Sequence, residues 1–270
     1  MSRHLVCLTF DFDTFSGFLA TGQTSPTPIS RGEFGVVGAQ RILELLGGLD
    51  ITATWYIPGI TLEAYPDACA AIADAGHEIG HHGYEHVPPA KLSRDAEADQ
   101  LSRANALIET LTGAKARGYR SPAWDLSPYT VELLLEQGFT YDSSMMGHDY
   151  LPYRARTGDV FEQGEPVRFG RETDLLELPV SWSLDDYPHF ELAGRGGLAP
   201  ATGVLENWLD DYRYMARTMD WGVITYTCHP MVIGRGHRML MLERLIEQLA
   251  EDGAAFVTAE QALTEFAGRA

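Results

Sequence analysis

Cysteine is scarce in this chain: Cys7, Cys69 and Cys228 are an odd number without Cys-x-x-Cys spacing. That excludes a disulfide framework and a thiolate zinc site, and it predicts reduced, partly buried thiols. Basic charge is also short, with 20 Lys and Arg against 38 Asp and Glu and a formal net charge of -18. Such a balance repels a phosphate backbone, and no local basic patch offsets it, so nucleic acid is not an expected partner. No apolar run approaches the roughly 20 residues of a membrane helix, so no membrane association is expected. The start of the chain enters strand-like sequence at Arg3-His-Leu-Val-Cys-Leu-Thr-Phe. This leaves no room for a signal peptide, and the expectation is a cytoplasmic protein. No Gly-x-Gly-x-x-Gly follows that first strand, which argues against an open dinucleotide-binding sheet.

What is present is a 45% hydrophobic chain of 270 residues, enough for one large α/β domain spanning 1–270 with a full core. Strand signals fall at 4–10, 52–57, 118–119, 140–144, 175–180, 222–227 and 254–258, with one more just before the dense histidine run. Helix signals fall at 38–46, 62–75, 94–111 behind a Ser93 N-cap, 131–137 after Ser127-Pro128, and 238–251. Their alternation predicts a parallel sheet, and seven or eight strands in this length predict an irregular TIM-like β/α barrel. Two segments, 14–34 and 145–173, are rich in Gly, Pro and aromatics, and read as lids or binding loops.

Four of the nine histidines fall within Gly76-His-Glu-Ile-Gly-His-His-Gly-Tyr-Glu-His86. His82 and His86 are spaced to reach one ion, and Asp11 and Asp13, at strand spacing, point to one face. One carboxylate can hold metal while the other stays free. Two imidazoles and a carboxylate leave open positions on a divalent ion, zinc by first expectation, for hydrolytic chemistry. Asp13 is assigned to the metal with His82 and His86, and Asp11 to the base, with Arg120 holding it ionised and oriented. His229, in Thr-Cys-His-Pro, is the expected acid, its pKa raised by Asp185 or Asp186. All of these residues follow strands, which is the active face of a β/α barrel. Tyr84, Trp124 and Trp182 are candidate substrate platforms that could equally be core. His77 and His81 read as structural, Asp186 could simply cap a turn, and a Cys228 nucleophile is disfavoured because adjacent strand residues face opposite ways.

In order, these segments resemble the polysaccharide deacetylase superfamily, also called the NodB-homology or carbohydrate esterase family 4 fold. Thr9-Phe-Asp-Phe-Asp13 is similar to its first motif, Gly76 to His86 to its second, and Arg120-Ser-Pro-Ala-Trp124 to its third. Trp182 with Asp185-Asp186 is similar to the fourth, and Ile224-Thr-Tyr-Thr-Cys-His-Pro230 to the fifth. The resemblance implies a distorted (β/α)7 barrel that removes N-acetyl or O-acetyl groups from carbohydrate, with Asp13, His82 and His86 on the metal. It implies Asp11 as base, Arg120 as its partner, His229 as acid supported by an aspartate, and backbone N–H groups at the oxyanion. Phe12 between the aspartates, Thr14 after them, and Ala123-Trp124 in the third motif depart from the usual pattern. With Tyr141-Asp-Ser-Ser-Met and the segment His229 to His237, they look like the intracellular branch of peptidoglycan-deacetylase-like proteins, cyclic imidases and allantoinase-like enzymes. That branch implies a homo-oligomer. The competing expectations are a cyclic amide or imide hydrolase, with or without metal, and a carbohydrate-binding scaffold without catalysis.

Overall fold

The computed structural model describes residues 2–191 and 198–269. Nine strands form one sheet: β1 (Arg3–Asp11), β2 (Thr54–Ile57), β3 (Glu78–His81), β4 (Gly118–Tyr119), β5 (Tyr141–Asp142), β6 (Tyr153–Thr157), β7 (Arg171–Glu177), β8 (Trp221–Cys228) and β9 (Ala255–Phe256). From β1 the parallel order runs β2, β3, β4, β5, β7 on one side, with β8 along the whole of β1 on the other. These seven strands curl into a distorted (β/α)7 barrel, as expected, and short β9 lies parallel to β1 at Leu5 and Val6. Its seam, between the chain leaving β7 and strand β8, carries a parallel bridge between Asp185 and Thr227.

The sequence of β1 shows how a strand builds both core and site. Even-numbered Val6, Leu8, Phe10 and Phe12 face the outer helices. Odd-numbered Leu5 and Cys7 face an inner cluster with Tyr56, Tyr141 and Val223. The same alternation then carries Thr9, Asp11 and Asp13 up the inner face, apolar at the bottom and polar at the top. Phe12 separates the two aspartates because it is needed on the outer face, edge-on to Trp55.

Several expectations change. Residues 14–34 are not a loop: they form the helix Ser16–Ala20 and the first turns of Pro26–Gly48. Gly32, one of the residues that suggest a loop, serves close packing, since a Cβ there would lie 2.5 Å from the Phe15 backbone; Gly38 of the same helix is as tight, 2.0 Å from the Pro230 carbonyl oxygen. Residues 145–173 include β6, which pairs antiparallel with β7, and a bridge between Val160 and Arg168. The helix expected over 62–75 divides at Tyr65-Pro66 into Gly59–Ala64 and Pro66–Asp74. The helix Ala201–Thr218, unanticipated, buries Val204, Trp208, Leu209, Tyr212 and Met215 along one face. Ser93 caps Arg94–Thr112 as expected, accepting from the Ala96 N–H.

Candidate active site and metal centre

Arg120 is the hub of the site and is fully buried. Its Nη1 lies 2.8 Å from Asp11 Oδ1 and 2.8 Å from Thr9 Oγ1. Its Nε donates to the Ser143 carbonyl and its Nη2 to the Ser143 hydroxyl. The guanidinium also sits 4.2 Å over the Tyr56 ring, a contact worth about 2 kcal/mol when water is excluded. Every face of the cation is therefore engaged. Burial alone would disfavour its charge, but Asp11 and the other partners raise its pKa further.

The backbone of Arg120 does a second job. Its carbonyl oxygen lies 2.7 Å from His82 Nδ1, so that nitrogen donates to it and Nε2 is turned toward Asp13. His82 Nε2 is 3.4 Å from Asp13 Oδ1, and His86 Nε2 is 3.3 Å from Asp13 Oδ2. Burial opposes the Asp13 charge, but His86 and His82 outweigh it and hold the carboxyl well below the usual range. Among the described residues Asp13 Oδ1 is buried without a hydrogen-bond partner. A tetrahedral ion with bonds of about 2.0–2.1 Å has ligand edges of about 3.3–3.4 Å. The two observed spacings, to different oxygens of Asp13, are close to such an edge and long for hydrogen bonds, and one ligand atom from each residue lies within 4.8 Å of the others, so the three residues fit a metal ion.

The ligand loop is fixed from below. Helix Gly59–Ala64 donates the Gly59 and Ile60 N–H groups to the carbonyls of Gly83 and Tyr84. Tyr84, expected as a substrate platform, lies against Gly59 with its hydroxyl on Glu63 and Arg103 over its ring. It does not line the cavity, and its place is beneath the loop. His86 has φ 59° and Thr14 φ 53°, both left-handed, and Thr61 holds the turn after Asp13 through the Asp13 carbonyl and the Thr14 hydroxyl.

His229 follows β8 and faces the cluster across the cavity. Its Nδ1 is 2.7 Å from Asp186 Oδ1, and its backbone N–H reaches both oxygens of the same carboxylate at 3.0 Å. The capping role foreseen for Asp186 belongs to Asp185, which accepts from the Tyr187 N–H and stands 3.6 Å from His229 Nδ1. Burial disfavours the imidazolium, but Asp185, Asp186 and Asp13 raise the His229 pKa well above its ordinary value. Burial, with the charges of Asp186 and Asp11, pushes Asp185 up to about 7.

These groups open into one cavity of about 390 Å³, walled by Phe18, Pro88, Lys91, Trp124, Trp182 and Met231. Trp124 and Trp182 stack with centroids 4.3 Å apart. A larger hollow at the opposite end of the barrel contains none of the site residues. His81 is structural, as expected, with Nε2 on the Leu101 carbonyl and Nδ1 accepting from Gly83; burial lowers its pKa to about 3. His77 accepts from the Ala53 N–H. All three cysteines are free and buried.

Thr9, Thr61, Ser143 and the Phe18 wall were not anticipated. Thr9 was readable from its alternation with Asp11 and Asp13, whereas the others come together only in the folded chain.

Residues 2–141 match the polysaccharide deacetylase family. A peptidoglycan deacetylase of Helicobacter pylori is 36% identical over 98% of this chain and 97% of its own length. The chain belongs to the polysaccharide deacetylase family. A peptidoglycan deacetylase-like protein of Gibberella zeae is 30% identical over 98% of this chain and 86% of its own. A solved structure of a candidate polysaccharide deacetylase from Mycobacterium smegmatis gives a TM-score of 0.87 at 31% identity, covering 99% of this chain and 91% of that one. An allantoinase structure shares the fold, with a TM-score of 0.80 at 21% identity over 97% of this chain and 89% of that one. Membership in the deacetylase family makes this chain a hydrolase of non-peptide carbon–nitrogen bonds. No helix among the described residues is long and apolar enough to cross a membrane.

Proposed function

We propose that this deacetylase-family hydrolase uses one divalent ion, zinc by first choice, to remove N-acetyl groups from a carbohydrate. The observation that carries the reading is the convergence of Asp11 with Arg120, Asp13 with His82 and His86, and His229 with Asp186 on one cavity. The imidazole and carboxylate donors suit zinc. When bound, the ion supplies Lewis acidity at the scissile carbonyl and a more acidic water. Asp11 Oδ2, the oxygen not held by Arg120, takes the proton of the attacking water. His229 keeps its proton through the Asp186 contact and gives it from Nε2 to the departing nitrogen. Trp124 and Trp182 offer a flat apolar wall to the sugar.

A second reading, ring opening of a small cyclic amide or imide, is favoured by the cavity itself. About 390 Å³ with mostly apolar walls suits a compact molecule better than an extended glycan. Reducing, cytoplasmic surroundings are supported by the three free cysteines. A homo-oligomer is supported by exposed Phe161 and Phe169 near the β6 edge.

The test is acetate release from N-acetylglucosamine oligomers set beside ring opening of a hydantoin and a succinimide, with and without chelator and zinc add-back. Chelator-sensitive acetate release supports the first reading. Ring opening that survives the chelator and His82→Ala removes both the acetyl substrate and the metal from it.

A further inference from the structure

Two more carboxyls lie behind Arg120, outside the cavity. Asp142 and Glu177 are register partners at the ends of β5 and β7, and neither is exposed to solvent. Glu177 Oε1 accepts the backbone N–H groups of Ser144 (2.8 Å) and Met145 (2.7 Å). Asp142 Oδ1 accepts the Ser144 hydroxyl at 2.6 Å, and Ser144 Oγ accepts the Ser121 N–H at 2.8 Å. The remaining oxygens, Asp142 Oδ2 and Glu177 Oε2, are reached by no N–H or O–H among the described residues, and the two carboxyls face each other. Two unpaired carboxylates side by side in the interior would cost several kcal/mol. A proton between them removes that cost and satisfies both orphan oxygens.

We propose that Asp142 and Glu177 share one proton, and that the pair positions Arg120, and through it Asp11, by clamping Ser143 and Ser144. The second half rests on Asp11 being the base. Ser143 is the intermediate: its carbonyl and hydroxyl receive two edges of the guanidinium, Asp142 precedes it, and Ser144 after it is held by both carboxyls. The chain of contacts thus runs from β7 through β5 and β4 to Asp11 on β1. Arg120, Tyr119 and Tyr153 are the other titratable groups facing the pair, and Arg120 is spent on Asp11, Thr9 and Ser143. Burial pushes Asp142 up to about 6, while burial and the Asp142 charge push Glu177 well above the usual range.

Glu177→Gln keeps the acceptor for Ser144 and Met145 and replaces the shared proton by an amide N–H. Glu177→Met removes both. The wild-type minus Glu177→Gln difference infrared spectrum at neutral pH should contain one protonated carboxyl band, absent again in Asp142→Asn. The Arg120 Nε–H resonance, protected from exchange in wild type and Glu177→Gln, should shift or broaden in Glu177→Met. Turnover of the N-acetylglucosamine oligomer should fall roughly 10²-fold in Glu177→Met with KM and metal content held, and return in Glu177→Gln. Absence of the carboxyl band, which needs only wild type and the conservative variants, would overturn the shared proton. An unmoved Arg120 resonance in Glu177→Met, or its failure to fold with Glu177→Gln also inactive, would overturn the positioning role. A disturbed resonance with unchanged turnover would instead refute Asp11 as the base.

Discussion

Asp186→Asn is the sharpest perturbation of the acid. The amide oxygen can still accept from the His229 N–H and Nδ1–H, so the ring keeps its place while the charge disappears. A buried charge-assisted hydrogen bond contributes about 1.5–3 kcal/mol, which converts to about 1–2 pKa units. His229 lies above its ordinary pKa because of its carboxylate neighbours, and so holds its proton at neutral pH and loses it only in alkali. Removing one neighbour lowers that value, so the basic limb of the kcat profile moves toward acid by about 1–2 units. Asp185 remains 3.6 Å away and keeps the shift toward the smaller figure. Turnover should drop by the full factor of about 10- to 100-fold only at pH values above the wild-type limb, with little change at the acid end. The assay is acetate release from pH 5 to 10, with the His229 ring signals followed by NMR. A limb and a ring titration that stay where they are in the wild type would refute His229 as the acid held by Asp186.

His82→Ala should abolish stoichiometric metal by mass spectrometry and erase the chelator-sensitive part of thermal stability, about 4 kcal/mol when free metal is a thousandfold above Kd. Retention of metal would place the centre elsewhere. Gly59→Ala should destabilise the protein by about 1–3 kcal/mol in urea melts, because its Cβ would stand 2.2 Å from the Tyr84 ring; an unchanged melt would mean that the ligand loop is not seated there. Trp182→Ala, at a half-exposed rim, should raise KM several-fold with kcat nearly kept, and an unaltered KM would remove it from substrate binding.

Much of the site was legible because strand alternation is simple: Asp11 and Asp13 share a face, and Cys228 and His229 do not. The barrel followed from the order of elements, and Ser93 marked its helix correctly. What failed has a common cause. Gly32 read as a loop residue, yet it lets helix Pro26–Gly48 lie against neighbouring backbone, a contact invisible along the chain. Tyr84 sits amid the histidine run but points away from the cavity, because loop residues after His82 lack the fixed period that strands have. Asp142 and Glu177, 35 positions apart, become neighbours only through sheet register.

The seam of the barrel gives the enzyme an unequal mechanical design. Asp11 and His229 stand on the continuous β1–β8 ladder, while Asp186 arrives from beyond β7, with the bridge between Asp185 and Thr227 alongside it. Breathing at that bridge would part the imidazole from its carboxylate while leaving the ladder between base and acid intact. Gentle denaturant should therefore silence turnover before helical signal is lost, with recovery on dilution as fast as the seam recloses.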